Sequence, residues 1–183
     1  MIKAVIFDMD GTVLDTEKLY TKYWGLAVEQ CGFTISYEDL LGLRSLGSEY
    51  AQEYFEKVLG PTADQNKIRR LRQILMKKYT DTHPIEVKKG IFETLDALRK
   101  KGIQTAIATA SVLERARGFL ADAGLGDSFD RIIATSMVKH GKPCPDVYQY
   151  TCEQLGIRPE EAIAVEDAPN GVLSAHRAGC HVV

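Results

Sequence analysis

The chain has no cysteine pair at a metal-ligand or redox spacing: Cys31, Cys144, Cys152 and Cys180 form no CxxC motif. That excludes a zinc ribbon or a thioredoxin-like couple and leaves reduced thiols in a cytoplasmic protein as the expectation. No apolar run approaches the length of a membrane span, and the first residues read as a strand rather than as a signal peptide. Neither sign of charge dominates. A net charge of −2 gives no reason to expect nucleic acid or an anionic membrane as a partner. Low-complexity segments and internal repeats are lacking too. What remains is the composition of a soluble globular protein, 45% apolar and 26% charged over 183 residues. Such a chain can form one well-cored domain, or a core domain carrying an insertion.

Strands are also missing from a long stretch. Residues 2–8 read as a first strand, but 16–83 read as helices alone, at Thr16–Gln30, Glu38–Leu41, Glu49–Leu59 and Gln65–Tyr79. Thr16 and the Asp64 region offer caps, and Gly32 and Gly60 are placed as terminators. In the last of these helices Ile68, Leu71 and Leu75 recur at helical spacing among Lys67, Arg69, Arg70, Arg72, Lys77 and Lys78. That basic face is expected to be solvated rather than to hold an anionic partner. After His83-Pro84, strands and helices alternate strictly. Helices at 90–101, 113–123, 145–155 and 171–178 separate strands at 104–108, 131–134, 162–165 and 181–183. The pattern predicts an α/β fold, a doubly wound parallel sheet with an inserted α-helical cap. Residues 1–15 and 84–183 would be the core and 16–83 the cap.

Within this frame the chemistry-bearing residues follow strand ends. The run Lys3-Ala4-Val5-Ile6-Phe7-Asp8-Met9-Asp10-Gly11-Thr12 is a short, nearly continuous apolar stretch that stops at two aspartates. It reads as a strand buried on both faces, with Asp8 and Asp10 at the carboxyl edge where open α/β sheets bind ligands. Thr109, Ala110 and Ser111 follow the second strand, Lys142 the third, and Glu166 and Asp167 the fourth, ahead of Ala168-Pro169-Asn170-Gly171. Each has a bland reading by itself, as a cap or a turn residue. Together, Asp8, Asp10, Glu166 and Asp167 converge with a single lysine. An all-oxygen site of that kind favours Mg2+ bound alongside a phosphate ester. A positioned carboxylate can attack phosphorus, with Lys142, Thr109 and backbone N–H groups steadying the charge and Asp10 as general acid and base.

The set Asp8-Met9-Asp10-Gly11-Thr12, Ala108-Thr109-Ala110-Ser111, Gly141-Lys142-Pro143 and Val165-Glu166-Asp167 resembles the four ordered motifs of the haloacid dehalogenase superfamily. The stretches from His140 to Asp146 and from Glu166 to Gly171 are similar to its β-phosphoglucomutase-like branch, which includes sugar-phosphate and pseudouridine-phosphate phosphatases. The resemblance implies Asp8 as nucleophile and metal ligand, and Asp10 as general acid/base that lends a backbone carbonyl to the metal. It implies Thr109 as the phosphate-binding hydroxyl, Lys142 as the lysine orienting nucleophile and phosphate, and Asp167 and Glu166 at the metal. Ala110, Ser111 and Asn170 are candidate substrate contacts, as is Arg44 from the cap. An aspartate two residues after the nucleophile marks phosphatases and mutases, so the chain is not expected to be a dehalogenase. The expected activity is Mg2+-dependent hydrolysis of a small phosphorylated metabolite, a sugar or nucleoside phosphate, through an aspartyl-phosphate, in a monomer or weak homodimer.

Three other readings compete with this one. A β-phosphoglucomutase would shuttle phosphate with the same groups, but Tyr20 stands where the mutases carry histidine. A receiver domain is disfavoured because its acceptor aspartate would end the third strand, which here runs into Thr135-Ser136. A non-catalytic phosphometabolite sensor would keep the same site; because no motif residue is lost, only an absence of turnover across a broad substrate panel would favour it. Family members continue beyond the position of Val183, so the sheet is expected to be incomplete at that edge.

Overall fold

A computed structural model describes residues 1–183, the side chain of Ser48 excepted. Five parallel strands, β1 (Ala4–Phe7), β2 (Gln104–Thr109), β3 (Arg131–Ala134), β4 (Ala162–Val165) and β5 (His181–Val182), lie in the order β3-β2-β1-β4-β5. In the central strand, Phe7 pairs with Ile107 on one side and Val165 on the other. The first strand is thus shorter than the expected 2–8, because Asp8 already belongs to the loop that leaves the sheet. The sheet is the expected parallel α/β one, and its chain direction of growth reverses around β1. In open α/β sheets that reversal opens a crevice at the carboxyl ends of the strands.

The apolar run of β1 divides its residues between two cores. Ala4 and Ile6 face one layer with Ala106, Ala108, Ala162 and Ala164; Val5 and Phe7 face the other with Ile107. The alanine-lined face leaves room for α7 (Asp146–Leu155) and α8 (Pro169–Ala178) to approach closely, burying Tyr148, Cys152 and Ala175. The bulkier face packs α5 (Ile91–Lys100) and α6 (Leu113–Asp122) through Ile91, Leu95, Ala116 and Leu120. Burial on both faces is why these strands read as apolar runs rather than as alternating ones.

Four helices, α1 (Glu17–Gln30), α2 (Tyr37–Gly42), α3 (Ser48–Leu59) and α4 (Gln65–Thr80), intervene between β1 and α5. They share a third core of Trp24, Ala27, Val28, Ala51, Phe55, Ala63 and Ile68. Two strands of backbone side by side connect this segment to the sheet, with Asp15 N–H donating to Glu86 O at 2.8 Å and Lys88 N–H to Val13 O at 2.9 Å. Asp64 caps α4, its carboxylate accepting from Lys67 N–H at 3.0 Å. Thr16 does not cap α1 as expected; its hydroxyl is drawn instead to Asp10. The basic face of α4 is only partly solvated: Arg72 is 5% exposed and Arg69 half-buried, which overturns the solvated reading for these two. Among the described residues, no helix is long and apolar enough to cross a membrane.

Candidate active site

Asp8 leaves β1 with its backbone still tied to β4, its N–H donating to Val165 O at 2.9 Å. Its carboxylate is 1% exposed. Lys142, fully buried, reaches it from the loop after β3. The ammonium has three hydrogens and three acceptors: Asp8 Oδ1 at 2.6 Å, Glu166 Oε1 at 2.5 Å and Ala108 O at 2.9 Å. Burial works against its charged form, yet the Asp8 and Glu166 carboxylates hold its pKa above the ordinary lysine value. Tyr148 O–H donates to the same Glu166 oxygen at 2.6 Å. Glu166 comes this close to its helix because residue 171 is glycine; a Cβ there would occupy the space of the carboxylate. Gly11 plays the same part toward Asp167 and turns through a positive φ of 97° that a side chain would resist.

Asp8, Glu166 and Asp167 each bring one oxygen within 4.8 Å of the others. Asp8 Oδ2 and Glu166 Oε2 are buried without a hydrogen-bond partner among the described residues. Burial, then the neighbouring Glu166 and Asp10 charges, push the Asp8 carboxyl well above its usual range despite Lys142. Three converging carboxylates, two of them with idle oxygens, are the donor set of a hard divalent cation such as Mg2+. The residues therefore fit the metal. The Asp10 carboxylate is not part of this cluster. It is held by Thr16 Oγ1 at 2.8 Å and Ser111 Oγ at 3.0 Å, two donors that partly offset the upward push of burial on its pKa.

The remaining expected residues divide. Ala110 and Ser111 line a cavity of about 360 Å³ above Asp8 and Asp10. Thr109 is fully buried, and its hydroxyl accepts from Ser111 N–H at 3.0 Å, so it shapes the loop that presents Ser111. Arg44 lies at the cavity but is already engaged, 2.6 Å from Glu17 and 2.5 Å from Asp167. Asn170 donates to the carbonyls of Gly42 and Arg44, at 3.3 and 3.0 Å, and so fixes the turn that carries Arg44. Gly47 N–H donates to Lys142 O at 2.8 Å, and Gly141 N–H to the Glu49 carboxylate. These bonds strap the helical segment onto the loop that carries Lys142.

Several residues of the site escaped the sequence reading. Tyr148 and Glu17 carry no local signature. Arg69, Arg72 and Arg115 line the cavity wall. For Arg72 a signal existed: it falls at i+4 from Ile68 and i−4 from Met76, within the stripe of α4 that is buried.

The sequence matches the model of the haloacid dehalogenase-like hydrolases over residues 2–179. It is 30% identical to hexitol phosphatase A of Escherichia coli (strain K12) over 181 residues, which span 99% of this chain and 82% of that enzyme. It is 31% identical to the phosphorylated carbohydrates phosphatase of Thermotoga maritima, covering 97% of this chain and 82% of the other. Among solved structures, CbbY from Rhodobacter sphaeroides in complex with phosphate superposes with a TM-score of 0.79 at 26% identity, over 100% of this chain and 85% of that one.

Proposed function

The chain belongs to the haloacid dehalogenase-like hydrolase family, as a phosphatase of the β-phosphoglucomutase-like branch, and from that footing we propose that it hydrolyses a small phosphorylated metabolite through an aspartyl-phosphate on Asp8. The observation that carries this reading is the asymmetry of the Asp8 carboxylate. One oxygen is clamped by Lys142 and the other has no hydrogen-bond partner, as a nucleophile fixed in place requires. The relatives named for hexitol and carbohydrate phosphatases, and the one bound to phosphate, support a sugar-phosphate class of substrate.

In the proposed reaction Asp8 attacks phosphorus in line with the ester oxygen and forms an acyl phosphate. Asp10, which burial keeps inclined to hold its proton, protonates the departing oxygen. It then takes a proton from the water that opens the acyl phosphate. Lys142 holds Asp8 in its attacking orientation, while Ser111 and the N–H groups of its loop receive the phosphoryl group. Mg2+ held by Asp8, Glu166 and Asp167 would neutralise charge that the carboxylates and phosphate otherwise concentrate. Residues 16–83 act as a cap over a core of 1–15 and 84–183, excluding bulk water during transfer. We place the enzyme in the cytoplasm, as a monomer or weak homodimer. The test is phosphate release from a panel of sugar, nucleoside and polyol phosphates, with Mg2+ and with chelator. Release from at least one ester, lost on chelation, is expected; no release from any with Mg2+ present overturns the proposal.

A further inference from the structure

The cavity above Asp8 has a second charged wall that the phosphoryl chemistry does not use. Arg69 and Arg72 descend from α4, and Arg115 rises from α6 on the core. Arg72 is 5% exposed and lies 4.8 Å from the Trp24 ring and 5.0 Å from the Tyr20 ring. A weak contact to Met76 Sδ at 3.9 Å occupies its Nη1, while the Nε atoms of Arg72 and Arg69 are buried with no partner. None of the three arginines is in a salt bridge among the described residues, although Arg44 in the same cavity takes two. Asp10 and Glu49 line the same cavity but turn to other donors, Asp10 to Thr16 and Ser111 and Glu49 to Gly141 N–H, and among the described residues neither forms a salt bridge with the three arginines.

Three guanidinium groups lining one cavity, two of them with idle buried donors, are costly to keep unless something anionic joins them. Their planar donor forks match a carboxylate or a phosphate. The aromatic pair holds Arg72 facing inward, and Tyr20 thus has a use of its own at the position where the mutases carry histidine.

We propose that Arg69, Arg72 and Arg115 form a seat for a second anionic group on the substrate, so that the enzyme prefers a small phosphate ester carrying a carboxylate or another phosphate at its far end. The proposal rests on the phosphatase reading of the Asp8 site and narrows its substrate class. A neutral sugar tail would leave these donors dry and unpaired when the cap closes. An anionic tail pairs them and spans the cavity from Asp8 to the arginine wall.

The test uses three esters of one six-carbon chain: glucitol 6-phosphate, 6-phosphogluconate and glucitol 1,6-bisphosphate. Against the first, a doubly anionic ester should show kcat/KM higher by about tenfold or more, the yield of one well-formed charged pair. Arg72→Met should erase that preference and Arg72→Lys restore part of it. Whichever of the two anionic esters is favoured names the group. Equal kcat/KM for all three overturns the seat and leaves the phosphatase reading intact.

A binding arm does not depend on turnover. Trp24 is the sole tryptophan and lies against Arg72, so its emission should report occupancy in the non-hydrolysing Asp8→Asn protein. Affinity for a doubly anionic ester about tenfold tighter than for glucitol 6-phosphate supports the seat, and equal affinities overturn it. This holds even if no ester is hydrolysed, a result that would sink the phosphatase reading alone. Should Arg72→Met fail to fold, the half-buried Arg115→Met carries the same comparison.

Discussion

Two buried cations share this site, and the chain treats them in opposite ways. Lys142 in the core meets two carboxylates and a carbonyl, one acceptor for each of its hydrogens. Arg72 in α4 meets two aromatic faces and a thioether. The first charge is neutralised by the protein before any substrate arrives, so it can fix geometry. The second is left over, so it can select a ligand. Catalytic machinery is built to be the same for every substrate, and a specificity wall is built to be incomplete without one.

The largest effect that would break this contrast is predicted for Lys142→Met. It strands Asp8 and Glu166 against each other in a buried place. Breaking such a pair costs about 3–5 kcal/mol, which lowers Tm by roughly 2–4 °C for each kcal/mol in a chain of this size. Phosphate release should fall by roughly 10²–10³-fold or more. Arg72→Met removes a cation of similar burial, yet it loses only cation–π contact while relieving an unpaired charge. Its stability should move by no more than about 1 kcal/mol in either direction, roughly 2–4 °C in Tm. Equal destabilisation by the two substitutions in thermal melts would erase the distinction.

Asp8→Asn sharpens the comparison from the other side. Turnover should drop by on the order of 10⁴-fold or more, but the metal-free protein should become more stable. Burial and the adjoining carboxylates raise the folded-state pKa of Asp8, so its charged form is disfavoured by folding. The stability this group contributes is full below the ordinary carboxylate value and is lost as pH rises through the raised one. In chelator, the wild-type Tm should therefore decline with rising pH over that interval, and Asp8→Asn should lack part of the decline. An identical pH dependence in melts of the two proteins would refute this account of Asp8.

These contrasts were unequally visible in the sequence. A parallel sheet sends every strand's exit to one edge, so Asp8, Thr109, Lys142 and Glu166 could be gathered from order alone. The boundaries of α4 were equally plain from Asp64 and the apolar spacing. The destination of its polar face was not. Periodicity says which stripe of a helix is apolar, but it does not say that the polar flank lines a cavity rather than facing bulk water. Arg72 sat in the buried stripe beside Ile68 and Met76, and its charge disguised that position. The pairing of Arg44 with Asp167, 123 residues away, needs a docking geometry that no local pattern encodes. Tyr148 shows a third limit: its ring reads as core, and only the fold turns its hydroxyl toward Glu166.

That hydroxyl gives a smaller prediction. Tyr148→Phe keeps the packing and removes the 2.6 Å bond to Glu166, leaving Lys142 alone to orient the carboxylate. Such supporting bonds are worth about 10–100-fold in metal affinity or activity. The Mg2+ concentration for half-maximal rate should rise by about tenfold at the low end of that range, with the fold retained by circular dichroism. An unchanged Mg2+ dependence would reduce Tyr148 to a packing residue.

The smallest effect tests the reassignment of Thr16. If its hydroxyl served the helix, Thr16→Val would cost α1 a cap, about 1 kcal/mol. The structure instead aims it at Asp10 Oδ1, and Ser111 holds the other oxygen. Both bonds favour the carboxylate over the acid. Removing one should raise the Asp10 pKa, leaving more of the acid form at a given pH. The alkaline limb of kcat/KM, which reports loss of that proton, should then move upward by about one unit, the equivalent of one modest charge-assisted bond. The helix should melt as before. A limb that stays in place while Tm falls would return Thr16 to the role its sequence position first suggested.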